Sequence, residues 1–158
     1  MRYFEDLTVG EKAAFGHYVV SRDEVVDFAR RYDPQPFHLS DEGAAATHFG
    51  RLAASGWHSC AMTMAMLVEH MKNDPQAALG AGGVDELRWL KPVYPGDTLR
   101  CETELLDKRQ SESKPGIGFI RSRMTAYNQH DEPVLSFIAN ALIRVRGEDK
   151  GPRPVGSD

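Results

Sequence analysis

GWHSCAMTMAMLVEHMKND, residues 56–74, is the stretch that decides the fold of this 158-residue chain. Trp57, Cys60, Ala61, Met64, Ala65, Met66, Leu67, Val68 and Met71 leave little room for a polar face, and Pro75 stops the run. A helix that is apolar nearly all round is a core helix wrapped by other structure. Its apolar run is shorter than the roughly 20 residues that cross a bilayer. Its methionines read as packing residues, because the flexible thioether fills irregular gaps.

What wraps the helix follows it in the chain. From residue 84 the period changes, and VDELRWLKPVYPGD, TLRCETELLDKR, GFIRSRMTAY and PVLSFIANALIRVR are rich in strand formers separated by turn signals. In the last of these, Leu135, Phe137, Ala139, Ala141, Ile143 and Val145 share one face at period two. PGD at 95–97 and NQHDEP at 128–133 are expected turns, and QSESKPG at 110–116 a longer hairpin loop. DPQAALGAGG, residues 74–83, is expected to be a flexible loop, since its glycines lack the following helix and the Lys of a phosphate-binding loop.

Upstream, KAAFGHYVV at 12–20 reads as a strand. SRDEVVDFARRYD then offers Ser21 as an N-cap with Glu24 three residues on, a capping box in outline. Val25, Phe28 and Ala29 form its apolar stripe, and Pro34 pushes Asp33 out of the helical region, so the helix ends near Tyr32. SDEGAAATHFG, 40–50, is expected to be a short helical turn closed by Gly50. The order predicts an α+β domain over residues 1–147, an antiparallel sheet curled round one greasy helix. Residues 148–158 hold too little apolar content to pack, and a disordered tail is expected there.

Composition narrows the function. The net charge is −4 with no basic run, which argues against a nucleic-acid partner. Cys60 and Cys101 stand far apart, without CxxC or Cys/His metal spacing, and read as reduced buried thiols in a reducing compartment. The opening MRYFEDLTVGEK lacks the basic-then-apolar order of a signal peptide, so a cytoplasmic domain is expected.

The chemistry-bearing segment is RRYDPQPFHLS, residues 30–40. Prolines 34 and 36 stiffen the link between Asp33 and His38. Stiffness suits two groups that must face one point, and a carboxylate with an imidazole can hold a water and move its protons. The plainer reading is a turn in which Asp33 accepts local hydrogen bonds and His38 is half-buried. ASGWHS, 54–59, is the second feature. The unpaired N–H of Gly56, at the positive end of the helix, could donate to a carbonyl oxygen, or Ser55 and Gly56 could simply cap the helix. His58 reads as a core-edge residue, His48 and His70 as structural or exposed, and His17 and His130 as strand and turn residues. Ser55 and Ser59 have no nucleophile setting.

These segments together resemble the MaoC-like dehydratase family, which includes the (R)-specific enoyl-CoA hydratases and has the hot-dog fold. YFEDLTVGEK is similar to the family's opening, VVDFARRYDPQPFHLSDEGA to its hydratase motif, ASGWHSCAMTMAML to the start of its central helix, and ELRWLKPVYPGDTL to the strand and turn beyond. On the motif, Asp33, Pro36, His38 and Ala44 fall at the family positions; Tyr32 and Gln35 stand where Gly and Asn are usual. The resemblance implies that Asp33 and His38 are the catalytic pair that activates water, and that Gly56 binds the thioester oxygen. It implies reversible hydration of a trans-2-enoyl-CoA, with no metal or redox cofactor, in a homodimer or a higher assembly of dimers with no membrane partner. An acyl-CoA thioesterase and a non-catalytic acyl-thioester binding protein are the alternatives within the fold.

Overall fold

The period-two segments become strands that pair through tight turns. The computed structural model describes residues 1–147 and holds one five-stranded antiparallel sheet in the order β1-β3-β4-β5-β2. The strands are β1 (Lys12–Val19), β2 (Ala78–Trp89), β3 (Thr98–Gln110), β4 (Ile117–Tyr127) and β5 (Pro133–Arg144). Three helices accompany them: α1 (Arg22–Tyr32), α2 (Asp41–Ala44) and α3 (Gly56–Asn73). The turn before β3 places Gly96 at φ +92°, and the turn before β5 places Asp131 at φ +59°, at the expected segments.

α3 packs against β1 and β3. Met62 and Met66 enter a core with Leu99, Cys101, Met124 and Leu135. Full burial of side chains such as Met62, Leu99 and Leu135 contributes about 1.5–3 kcal/mol each. β1 approaches the helix at Gly16, where an added Cβ would fall 2.6 Å from the Met66 sulfur, and its pairing with β3 shifts register between Phe15 and Tyr18. Leu7, Ala77, Leu105, Ile120 and Ile143 make a second cluster, with Tyr3 and Phe4 against it. This α+β arrangement is the hot-dog fold.

Two expectations need correction. First, residues 78–83 are strand, not loop: β2 begins at Ala78 and pairs Ala78 with Ile143, Gly80 with Leu142 and Gly83 with Asn140. Gly80, Gly82 and Gly83 carry no side chains to show a period, and the pairing with β5 is made by backbone alone. The glycines leave their mark as register shifts, with Gly80 at φ +96°. Second, α3 is not wrapped all round. His58, Ser59, Met62, Thr63 and Met66 are buried, whereas Trp57, Met64 and Val68 are 57%, 49% and 50% exposed. One sheet covers one side of a helix and leaves the opposite apolar seam to solvent.

Caps follow the sequence closely. Ser21 Oγ accepts the Glu24 N–H at 3.1 Å, but the Glu24 carboxylate turns to the Tyr18 hydroxyl and His58 instead of completing the capping box. Ser40 Oγ accepts the Gly43 N–H at 3.0 Å to start α2, and Gly50 at φ +71° closes the following turn. Cys101 is buried, Cys60 half-buried, and both are free thiols. The tail expected at 148–158 lies outside the described residues.

Candidate active site

Each of the two prolines builds its own turn. Asp33 closes α1 by donating its N–H to Ala29 O at 2.9 Å, then leaves helical space at φ −152°, ψ 68°. Gln35 N–H donates to Asp33 O at 2.8 Å, a three-residue turn centred on Pro34. Pro36 is the first residue of a 3-10 turn, Pro36–His38, where a missing N–H costs nothing, and His38 N–H donates to Gln35 O at 2.9 Å. The two turns bring Asp33 and His38 face to face, with Asp33 Oδ2 3.5 Å from His38 Nε2.

His38 is buried, and its Nδ1 lies 2.7 Å from Ala53 O. A carbonyl only accepts, so Nδ1 carries a proton, and Nε2 is the nitrogen turned toward Asp33. Asp33 receives two donors: Ser55 Oγ to Oδ2 and Gln35 Nε2 to Oδ1, both at 2.7 Å. Burial pushes the Asp33 carboxyl up, but the hydrogen bonds from Gln35 and Ser55 and the attraction of His38 outweigh it and hold it below the usual carboxylate range. A carboxylate oxygen and an imidazole nitrogen turned toward each other, 3.5 Å apart, can both bond one water molecule.

Ser55 is fully buried and caps α3, its Oγ accepting the Trp57 N–H at 3.3 Å. Gly56 follows, in the first turn, where N–H groups have no intrahelical acceptor. Asp33, Gln35, His38 and Gly56 line one cavity of about 490 Å3, walled by aromatic and apolar groups including Trp57 and Trp89. A Cβ on Gly56 would fall 2.5 Å from the Trp89 ring. A wider groove of about 910 Å3 runs along α1 and α2, lined by charged residues such as Asp27, Arg30 and Glu42, and does not reach Asp33 or His38.

The structure thus brings Asp33, His38 and Gly56 to one cavity. Ser55, read only as a cap, is joined to Asp33, and His48, read as structural or exposed, also lines the cavity. Of the two motif departures, Gln35 faces the site, whereas Tyr32 is 69% exposed and packs beside Phe28 outside it. His58 is buried behind the site against Phe28, and His70 stacks on Phe15. Among the described residues, no three His, Cys, Asp or Glu side chains cluster as a metal site would need, and no helix is long and apolar enough to cross a membrane.

A family model described as MaoC like domain matches residues 6–122, a span that contains all of these site residues. The chain belongs to the MaoC-like dehydratase family. It is 36% identical to the MaoC-like dehydratase of Rhodospirillum rubrum, with a TM-score of 0.85 over 92% of this chain and 99% of that one. It is 35% identical to the mesaconyl-CoA hydratase of Cereibacter sphaeroides across 97% of this chain, and spans only 44% of that relative's length. The (R)-hydratase from A. caviae involved in PHA biosynthesis is 25% identical, with a TM-score of 0.63 over 87% of this MaoC-like chain and 97% of its own.

Proposed function

We propose that this protein catalyses reversible addition of water to a trans-2-enoyl-CoA, giving an (R)-3-hydroxyacyl-CoA. The observation that carries the reading is the convergence of Asp33 Oδ2 and His38 Nε2, 3.5 Å apart, in the cavity that Gly56 also lines. The names of the mesaconyl-CoA hydratase and the (R)-hydratase support the CoA carrier and the hand of the product.

In this reading the Gly56 N–H donates to the thioester oxygen and stabilises the enolate-like charge that builds there, a contribution of about 3 kcal/mol in a dry site. One water sits between Asp33 and His38. Its oxygen adds to C3 while a proton passes to the pair, and a proton returns to C2, so atoms and charge balance without electron transfer. The reaction needs no cofactor beyond the CoA of the substrate.

A second copy of the chain belongs to the same reading. Trp57, Met64 and Val68 on α3 and Val84 and Trp89 on β2 expose apolar surface, and β2 is an edge strand. Trp57 and Trp89 also line the cavity, so a homodimer formed on this face would border both sites. Free thiols at Cys60 and Cys101 suit the reducing cytoplasm.

The test is the loss of enone absorbance when crotonyl-CoA is hydrated, with Asp33→Asn and His38→Ala as variants. Turnover abolished in both supports the assignment, and near wild-type turnover in both overturns it. Release of free thiol from saturated acyl-CoA would instead indicate a thioesterase. Acyl-CoA binding without turnover of any enoyl-CoA would indicate a binding protein.

A further inference from the structure

A carboxylate has two equivalent oxygens, and its terminal torsion is broad and nearly two-fold, so one hydrogen bond does not fix which lone pair faces a neighbour. Asp33 is held at both oxygens. Ser55 Oγ donates to Oδ2 at 2.7 Å, from the start of α3. Gln35 Nε2 donates to Oδ1 at 2.7 Å, from the turn that carries the pair. Gln35 is itself anchored by its backbone, donating its N–H to Asp33 O at 2.8 Å and accepting the His38 N–H at 2.9 Å. One residue therefore touches both members of the pair, the carboxylate through its side chain and the imidazole residue through its backbone.

We propose that Gln35 is a positioning residue, whose side-chain amide locks the Asp33 carboxylate plane so that Oδ2 faces His38 Nε2. The assignment rests on the hydratase reading for its catalytic consequence but not for its geometry. The position usually holds Asn in the resembling motif; here the side chain is one methylene longer and still reaches Oδ1 across the turn at Pro34. Without the amide, Ser55 holds Oδ2 alone, and the carboxylate swings about that contact and loses its constant aim at His38. The same bond favours the charged carboxylate, so its loss also makes Asp33 easier to protonate.

Gln35 is exposed, so its substitution leaves the core intact. In the full-length chain, Gln35→Ala should lower kcat for crotonyl-CoA about tenfold with KM within about twofold, the signature of an interaction with one charged partner. Gln35→Glu keeps the shape, replaces the donor with a like charge, and should cost about a hundredfold near neutral pH. Gln35→Asn should recover part of the loss seen in Gln35→Ala. Carbon-13 NMR of the Asp33 carboxyl gives a readout independent of turnover: its titration midpoint should rise in Gln35→Ala and return toward wild type in Gln35→Asn. An unmoved midpoint in Gln35→Ala overturns the assignment, as does a loss expressed only in KM. If the wild-type chain hydrates no enoyl-CoA, the hydratase reading fails by itself, and the carboxyl titration still decides the role of Gln35.

Discussion

Ser55 Oγ donates to Asp33 Oδ2 at 2.7 Å across 22 residues of sequence, and the same oxygen accepts the Trp57 N–H at 3.3 Å. One hydroxyl thus ties the end of α1 to the start of α3, and with them the proposed water site to the proposed oxyanion donor. Ser55→Ala removes both bonds from a fully buried position. The expected outcome is a fall in kcat of about 10- to 100-fold, because a hydrogen bond to a charged group is lost at the reacting pair. Loss of the cap should lower stability by about 1–2 kcal/mol. Crotonyl-CoA kinetics and urea denaturation check the two effects separately.

Gly56 and Trp89 are in a different kind of contact. The indole lies where a Gly56 Cβ would stand, at 2.5 Å, and packs edge-on against Trp57 with ring centroids 5.1 Å apart. Gly56→Ala should therefore destabilise the fold by about 1–3 kcal/mol through overpacking. Trimming the obstacle in the double variant Gly56→Ala/Trp89→Leu should return part of that loss, a favourable coupling in a double-mutant cycle of denaturation free energies. Purely additive losses would mean that the indole gives way without cost.

The legible parts of this fold are those whose signal sits in side chains near in sequence. β5 announced itself because Leu135, Phe137 and Ile143 repeat at period two and are buried. α1 ended at Tyr32 as Pro34 requires. The beginning of β2 was hidden because Gly80, Gly82 and Gly83 have no side chains to alternate, and the ladder to β5 is backbone chemistry between distant segments. The prolines made Asp33 and His38 visible as a pair, and the start of the helix made the Gly56 N–H visible as a free donor. The distant donor to Asp33 was not legible: a serine at a helix start reads as a cap whatever else its hydroxyl touches. The exposed seam of α3 was equally hidden, since apolarity shows that a face seeks cover and not what covers it.

That seam makes a prediction of its own. Val68 on α3 and Val84 on β2 are each 50% exposed, apolar, and away from the residues that line the cavity. If a second copy covers them, Val68→Asp or Val84→Lys places a charge in a desolvated interface, where it has no partner. Sedimentation velocity should then show a dimer for the wild-type chain and a monomer for either variant. A wild-type monomer at micromolar concentration would end the dimer reading.

His58 should make stability depend on pH just below neutrality. It is buried, stacked on Phe28 with ring centroids 4.6 Å apart, and its Nδ1 has no hydrogen-bond partner among the described residues. Burial pushes its pKa below the ordinary 6.5, against a weaker upward pull from Glu24, whose carboxylate is 3.4 Å from Nε2. In the unfolded chain the same imidazole takes up a proton near pH 6.5, and the folded chain does so only at lower pH. The unfolded state therefore binds more protons in that interval, and stability rises with pH there. The stability present above about pH 6.5 should decline as the pH falls through the lowered folded value. The depressed carboxyls of Asp33 and Asp41 act only below their ordinary 3.8, so the window just under pH 6.5 separates His58 from them. Urea midpoints measured between about pH 7.5 and about pH 5.5 should fall for the wild-type chain. They should stay level for His58→Phe, which keeps a ring against Phe28 and removes the titrating group. An equal decline in both proteins would assign the loss to another group.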